Sequence, residues 1–229
     1  MRSRWLWIVL GLGALATGAS LAQAFSPASR DRSGQSVRNQ ASSAWQASYD
    51  AEAAGKLDLS LAALEELPGA ARTGYLAQFR RGWLLYRLGS YADSVTAYRS
   101  AVSQEPAAVE ARVGLQLPLL ALAKWQELTQ VAEDVLELDP QNYLSLQRLA
   151  LAKFNLQRYP EAEAQYRRIL LLYPGDIEMR VGLGWTLLRM GKPSEARAVF
   201  SQVLDVAGYH ASATQGLQAT TPSQTNTKE

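Results

Sequence analysis

The sequence predicts an all-α fold in which antiparallel helix pairs stack into a solenoid. When the sequence is aligned with itself at an offset equal to the spacing between Pro106 and Pro140, similar residues coincide. This repeat period is about 34 residues, and a period in this range indicates a solenoid. The coincident residues are prolines that follow a helix, residues inside that helix, and aromatic residues at its start. They are Pro106, Pro140 and Pro174; Tyr98, Ala132, Tyr166 and Phe200; and Tyr91, Trp125 and Tyr159.

The clearest copy of the repeat runs from Tyr143 to Asp176. Its first helix, from about Leu144 to Leu156, carries apolar residues at spacings of three and four. A second helix begins at Pro160, because a proline lacks the N–H group that a first helical position leaves unpaired in any case. Pro174 ends this helix. The copy is therefore two helices joined by a tight turn.

A helix pair of this period, with a small residue in each helix and a closing proline, resembles the motif of the tetratricopeptide repeat family. Small side chains let two helix axes approach to about 8 to 10 Å. The resemblance implies a right-handed superhelical solenoid that binds other proteins. The small residues are Gly82, Ala150 and Gly184 in first helices, and Ser94, Ala162 and Ala196 in second helices.

Five copies are predicted over residues 41–210, and they divide the chain into domains. The third copy carries Pro118 inside its first helix, where a kink is expected because proline removes a hydrogen bond. Residues 25–40 have little to bury and are predicted to be a flexible linker, and residues 211–229 a short cap and polar tail. The copies are 41–74, 75–108, 109–142, 143–176 and 177–210.

Residues 1–24 follow the pattern of a secretory signal peptide. Two arginines precede an apolar run from Trp5 to Ala16, and a small-residue motif ends at Ala24. Cleavage after Ala24 leads to a periplasmic or secreted protein. The alternative is an uncleaved membrane anchor, because the apolar stretch is nearly long enough to span a bilayer core of about 30 Å. We expect an exported protein in either case.

The charge balance gives no support to nucleic-acid or anionic-membrane binding. Without Arg2 and Arg4, 21 basic residues face 21 acidic ones, so the remaining chain is neutral. The sequence has no cysteine and one histidine, His210. A histidine pair for zinc and a Ser-His base system are therefore missing. We predict a non-enzymatic protein with no metal and no cofactor.

A column of bulky side chains recurs on the first helices and is the main candidate for a binding surface. The family resemblance places first helices on the inside of the superhelix, where this column would line a concave groove. The alternative is that the column belongs to the core between copies. Its members are Tyr49, Trp83, Leu117, Leu151 and Trp185, with Phe79, Tyr86, Phe154 and Leu188 one turn away.

Four arginines share columns beside these residues and are predicted to form basic edges of the groove. They are Arg80, Arg87, Arg148 and Arg189. The alternative is an ordinary solvated face. Family members that clamp a C-terminal carboxylate carry Lys and Asn in this groove. The positions here hold Phe79, Trp83, Val113 and Leu117, so that particular clamp is not expected.

Two functions fit this pattern. The first is an exported scaffold or adaptor in envelope complex assembly, whose groove binds an apolar or extended segment of a partner protein. The second is a carbohydrate-binding or polysaccharide-export component, in which Trp83, Tyr86 and Trp185 stack on sugar rings. A contiguous, dry aromatic groove would favour the protein partner. Isolated aromatic residues flanked by exposed polar residues would favour the sugar.

The C-terminal end of the repeats is a second candidate surface. Beyond His210 the only large apolar residue is Leu217, so the last helices are predicted to be thinly covered. An exposed apolar edge favours self-association. The alternative is that residues 211–218 fold as an adequate cap. The edge residues are Leu187, Phe200, Val203 and Leu204.

Overall fold

The computed structural model describes residues 27–221, and its regular elements in that range are all helical. The predicted signal peptide lies outside the described residues. Consecutive helices pack against each other in pairs, which confirms the all-α repeat fold. The helices are α1 Pro27–Ala53, α2 Leu57–Ala63, α3 Ala70–Thr73, α4 Tyr75–Arg87, α5 Tyr91–Gln104, α6 Val109–Ala121, α7 Trp125–Leu138, α8 Tyr143–Asn155, α9 Tyr159–Leu172, α10 Ile177–Arg189, α11 Pro193–Ala207 and α12 Ala211–Ala219, with a 3₁₀ turn at Leu64–Glu66.

The first helices α4, α6, α8 and α10 are each 13 residues long, and each begins one repeat period after the previous one. Each is followed by one residue with a positive φ, which reverses the chain into the second helix. Glycine adopts this conformation without strain in two of the turns, whereas an alanine and a glutamine adopt it in the other two. The residues are Gly89, Ala123, Gln157 and Gly191.

Side-chain caps begin the helices in the C-terminal part of the repeats. Asn142, Asp176 and His210 follow one another at the repeat period, and each accepts a hydrogen bond from a backbone N–H in the first turn of the next helix. For His210 the acceptor is Nδ1, and its Nε2 lies 3.0 Å from Glu178 Oε1. These caps satisfy N–H groups that the helix itself leaves unpaired.

The structure corrects the prediction of a flexible linker at residues 25–40. Within the described part, α1 extends without a break from Pro27 to Ala53. The chain divides between Asn39 and Gln40 into two compact units. In the first of these units, Gln35 donates a hydrogen bond to Asn39, one helical turn later. The polar composition predicts little burial, but arginine and glutamine are good helix formers, so their intrinsic propensity favours a helix here.

The structure also corrects the prediction of an exposed C-terminal edge. Helix α12 begins one repeat period after α10 and packs on both α10 and α11. Phe200 is fully buried, and a Cβ atom at Gly216 would clash with its ring, so only a glycine lets α12 approach this closely. Leu187 and Val203 are buried and Leu204 is half-buried. The surface proposed for self-association is therefore covered by the chain itself.

Pro118 does not interrupt the first helix of the third copy. Helix α6 continues through it from Val109 to Ala121, and Pro118 itself is buried.

Among residues 27–221, no helix combines the length and the hydropathy needed to cross a lipid bilayer.

Candidate functional site

A cavity of about 630 Å³ lies in the N-terminal part of the repeats. We call it the aromatic groove. Helix α1 contributes Trp45 and Tyr49, α4 contributes four residues, and α5 contributes Tyr98. The complete lining is Trp45, Tyr49, Leu76, Phe79, Arg80, Trp83 and Tyr98. Three of the nine predicted groove residues, Tyr49, Phe79 and Trp83, therefore lie together in it.

Helical spacing and ring packing hold the aromatic side chains in place. Trp45 and Tyr49 are one turn apart on α1, and their stacked rings are 6.4 Å apart. Phe79 meets Tyr98 edge to face, with 5.8 Å between the ring centroids. Leu76 and Tyr49 remain 65% and 55% exposed, so large apolar groups stand open at the mouth of the groove.

A half-buried carboxylate supports the polar wall of the groove. Glu52 accepts a hydrogen bond of 2.8 Å from the Trp83 indole, and it forms ion pairs with Arg80 at 3.0 Å and Arg87 at 3.5 Å. The guanidinium of Arg87 also lies over the Trp83 ring, 5.5 Å from its centroid. The indole of Trp83 is therefore held both at its N–H and over its ring.

Arg80 is a buried part of the wall, which corrects its assignment to an exposed basic edge. It is 7% exposed, and its guanidinium lies 3.7 Å from the centroid of the Tyr49 ring. Its Nε donates to Ser48 Oγ at 2.8 Å and its Nη2 to Ser60 Oγ at 3.3 Å. These partners come from α1 and α2, so Arg80 joins the first copy to the second.

Arg148 is also buried rather than at an edge, with 8% of its surface exposed. It donates to the carbonyl of Val113 at 2.8 Å and to Gln116 Oε1 at 3.2 Å. Gln116 in turn donates to Ser145 at 2.8 Å. Burial lowers the pKa of Arg148 from its usual value. The other two predicted edge residues, Arg87 and Arg189, are exposed.

The remaining predicted groove residues are divided between two environments. Tyr86 stays beside the groove, 6.2 Å from the Trp83 ring, and Leu117 and Leu151 are half-buried. The other three pack against the buried C-terminal cluster around Phe200, and they are Phe154, Trp185 and Leu188. The predicted column is therefore open at its N-terminal end, and at its C-terminal end it is part of the core.

Trp185 shows why the C-terminal end of the column is closed. Its ring meets Phe200 edge to face at 5.5 Å, and its indole N–H donates to Ser212 Oγ of α12 at 2.9 Å. The cap helix supplies this hydrogen bond. Trp185 thus belongs to the core, which was the alternative interpretation of the aromatic column.

Three lining residues were missed by the sequence analysis of the groove. Trp45 lies one turn before Tyr49, and Leu76 lies three residues before Phe79, so helical spacing would have found both. Tyr98 was identified only as a residue that recurs inside the second helix of the repeat. Its pKa is raised by burial. It both fills the space between α4 and α6 and forms the base of the groove.

Lys153 is a buried ionisable group outside the groove, and it has structural partners. Lys153 is 7% exposed, and its ammonium pairs with Glu161 at 2.6 Å and Glu133 at 3.0 Å. Burial alone would lower the pKa of Lys153, but the two carboxylates outweigh burial and raise it. Between residues 27 and 221, no group of three His, Cys, Asp or Glu side chains is arranged to hold a metal ion.

Comparisons with known proteins agree with the repeat pattern. The sequence profile of the tetratricopeptide repeat family matches residues 46–109 and 147–209. The Protein CTR9 homolog of Arabidopsis thaliana is 32% identical over 95 residues, which are 41% of this chain. The chain matches only 9% of the length of that relative.

Solved structures share the fold at low sequence identity. A tetratricopeptide repeat protein from Parabacteroides merdae superposes with a TM-score of 0.72 at 18% identity, covering 80% of this chain and 72% of the other. A MamA structure from Desulfovibrio magneticus, residues 41 to the end, gives 0.70 at 20% identity, covering 74% and 96%. A further MamA crystal structure gives 0.68 at 16% identity, covering 72% and 91%.

Proposed function

Because the chain belongs to the tetratricopeptide repeat family, we propose that it is an exported scaffold whose aromatic groove binds an extended apolar segment of a partner protein. Proteins of this family are in general protein-binding scaffolds, and the observation that carries the proposal is the groove itself. Six of its seven lining residues are aromatic or aliphatic, and two of these, Tyr49 and Leu76, are more than half exposed. Exposed aromatic and aliphatic anchors in a cavity typically supply most of the affinity for a peptide.

The lining favours a protein segment over a sugar. A sugar site needs free polar groups beside the aromatic faces, whereas the charged groups of the wall, Glu52 and Arg80, are already engaged within the protein. Glu52 is bonded to Trp83, Arg80 and Arg87, and Arg80 is bonded to Ser48 and Ser60. The contiguous aromatic surface that remains suits apolar side chains.

Export is proposed from the pattern of residues 1–24. We expect the protein to act in the periplasm or outside the cell, in the assembly of an envelope complex, after cleavage behind Ala24. N-terminal sequencing of the protein from cell fractions tests this. A first residue of Phe25 in the periplasmic or medium fraction is expected. Met1 in the membrane fraction would mean a retained anchor, and Met1 in the cytosol would contradict export.

Binding in the groove is tested with a matched pair of leucine variants. Leu76 lines the groove and Leu171, which is 84% exposed, does not. Residues 25–229 carrying Leu76→Gln or Leu171→Gln are immobilised and exposed to envelope extract. We expect Leu76→Gln to retain about tenfold less partner protein, because an anchor in the cavity is lost. Leu171→Gln should retain as much as the unmodified chain.

Equal retention by the two leucine variants would place the binding surface elsewhere. If the unmodified chain retained polysaccharide instead of protein, and Leu76→Gln did not retain it, the carbohydrate-binding alternative would be favoured. Both variants change an exposed side chain, so circular dichroism should report unchanged helix content in each case.

A further inference from the structure

His210 holds the N-terminus of α12 through both nitrogens of its ring. Its Nδ1 accepts a hydrogen bond of 3.2 Å from the backbone N–H of Ala213, and its Nε2 lies 3.0 Å from Oε1 of Glu178 on α10. A backbone N–H can only donate and a carboxylate can only accept, so the two bonds together need a neutral ring with its proton on Nε2. A protonated ring carries a hydrogen on Nδ1 as well, and it cannot accept the bond from Ala213.

The equivalent residues of the two preceding copies form the same cap with other chemistry. Asn142 caps α8 and Asp176 caps α10, each through a side-chain oxygen that accepts from a backbone N–H at 3.1 Å. An amide gains no proton near neutral pH, and a carboxylate gains one only near about pH 4. Of these three residue types, only histidine changes its charge between about pH 5 and 8. The cap of α12 is therefore the one of the three that depends on pH in this range.

Protonation of the ring weakens the docking of α12 rather than strengthening it. Nε2 already donates to Glu178 in the neutral ring, so the added proton makes no new hydrogen bond there. The side chain of Glu178 is 71% exposed, and an ion pair with such a carboxylate contributes little to stability. At Nδ1, however, the added proton removes the cap and places a positive charge at the positive end of the α12 dipole.

Glu178 is the charged side chain that contacts the imidazole from the helices packed around it. Helix α12 itself carries no charged residue. Within residues 27–221, the other charged residues of α10 and α11 form no hydrogen bond or ion pair with His210. They are Arg180, Arg189, Glu195, Arg197 and Asp205. The balance on protonation is therefore between one solvated carboxylate and the lost cap.

Helix α12 depends on its cap because it is short and buries little. It has nine residues, of which Ala213 and Gly216 are buried. Helices of this length are marginal in water without tertiary contacts. In the docked position Gly216 covers the ring of Phe200, and Ser212 accepts the indole N–H of Trp185 at 2.9 Å. Release of α12 would expose Phe200 and break the bond to Trp185, so the C-terminal end of the aromatic column would open.

We propose that His210 is a pH-sensitive switch, and that its protonation releases α12 from the last repeat. In the docked helix Nδ1 carries no proton, whereas in the released segment it is free to take one up. Docking is therefore complete above about pH 8, and it is lost as the pH falls towards about 5. The switch acts at the opposite end of the column from the aromatic groove and does not depend on the partner that the groove binds.

NMR spectroscopy observes this switch directly, because His210 is the single histidine of the sequence. At pH 8 the ¹⁵N shifts of the ring should show the neutral form with its proton on Nε2. Between pH 8 and 5 the protection of the α12 amides, relative to the intrinsic exchange rate at each pH, should fall about five- to tenfold, as expected for the loss of a helix cap. The indole N–H of Trp185 should lose protection in parallel.

Two results of this titration would overturn the proposal. One is a ring that carries its proton on Nδ1 at pH 8. The other is protection of the α12 amides that stays constant or rises towards pH 5, because the pair with Glu178 would then outweigh the cap.

His210→Asn is the matched control variant, because Asn142 caps α8 at the equivalent position. It should keep α12 docked with the same protection at pH 8 and pH 5. A loss of protection equal to that of the wild type would place the titrating group elsewhere and contradict the proposal.

Glu178→Gln separates the cap from the ion pair. The amide oxygen still accepts from Nε2, but the negative charge that favours the protonated ring is removed. The loss of protection should therefore persist and move to lower pH. Its disappearance in Glu178→Gln would assign the pH dependence to the ion pair and overturn the proposal.

Discussion

Trp83 and Trp185 occupy the same position in the repeat and have different surroundings. The indole of Trp83 donates to Glu52 of the preceding first helix, and its ring lines the aromatic groove. The indole of Trp185 donates to Ser212 of the following helix, and its ring packs on Phe200. The repeat position therefore fixes which face of the helix carries the tryptophan. The neighbouring helices determine whether that face is a cavity or core.

The largest loss of stability is expected at the C-terminal, closed end of the aromatic column, where Trp185 is part of the core. Phe200 is fully buried against α10 and α12, and Phe200→Ala should lower the free energy of unfolding by about 3 to 5 kcal/mol. Chemical denaturation followed by circular dichroism measures this. Tyr209→Ala removes an aromatic ring that is 82% exposed, so it should change stability by less than about 0.5 kcal/mol. Similar losses in both variants would mean that α12 does not cover Phe200.

Alkaline pH should weaken the packing at the closed end. Burial raises the pKa of Tyr166 from 10.0 to about 12. The folded state therefore holds the phenol proton more tightly than the unfolded state. Neutral Tyr166 contributes in full to the free energy of unfolding below pH 10, and this contribution is lost as the pH rises towards 12. The loss attributable to Tyr166 is at most about 3 kcal/mol. Denaturation of the wild type and Tyr166→Phe at a series of pH values measures it.

Phenylalanine is a suitable replacement at position 166, because Phe200 stands at the equivalent position of the next copy. Tyr166→Phe should therefore show a smaller decrease in stability between pH 10 and 12 than the wild type. Identical decreases would mean that Tyr166 ionises as readily in the folded protein as in the unfolded chain.

The N-terminal, open end of the aromatic column should tolerate the truncation of a side chain better. Tyr49 is 55% exposed, and its ring contacts the Arg80 guanidinium, 3.7 Å from the ring centroid, and the Trp45 ring. Tyr49→Ala should cost about 1 to 2 kcal/mol of stability, because the ring is exposed while the Arg80 guanidinium beside it is largely desolvated. Thermal melting with Phe200→Ala as the reference measures the difference. A loss comparable to that of Phe200→Ala would make the groove a part of the core.

The period of the sequence predicted the fold class, because apolar spacing and the turn residues repeat with the helices themselves. It also predicted that Tyr49, Phe79 and Trp83 share one face. The cap helix was predicted less well, although Ala211 stands one repeat period after Ile177 and so begins α12 in register with the first helices. Few large apolar residues follow His210, so the packing of α12 on Phe200 was not predicted. The contact depends on Gly216, because only a glycine lets α12 lie this close to the Phe200 ring.

The arginines could not be placed from their spacing. Arg80 and Arg148 share a column, and the column fixes only the direction of each side chain from its own helix. Their burial depends on residues of other helices, namely Glu52, Ser48 and Ser60 for Arg80 and Gln116 for Arg148. A single sequence does not show such pairings before the helices are packed.

The most direct test of the difference between the two ends compares Trp83→Ala with Trp185→Ala. For each variant, the free energy of unfolding and the affinity of the partner segment per folded molecule are measured together. Trp83→Ala should lose about 2 kcal/mol or more of binding, because it removes an anchor of the groove. Trp185→Ala should leave the affinity unchanged and lose stability through its contact with the cap. Loss of affinity with Trp185→Ala, and unchanged affinity with Trp83→Ala, would contradict the assignment of the groove to the N-terminal end.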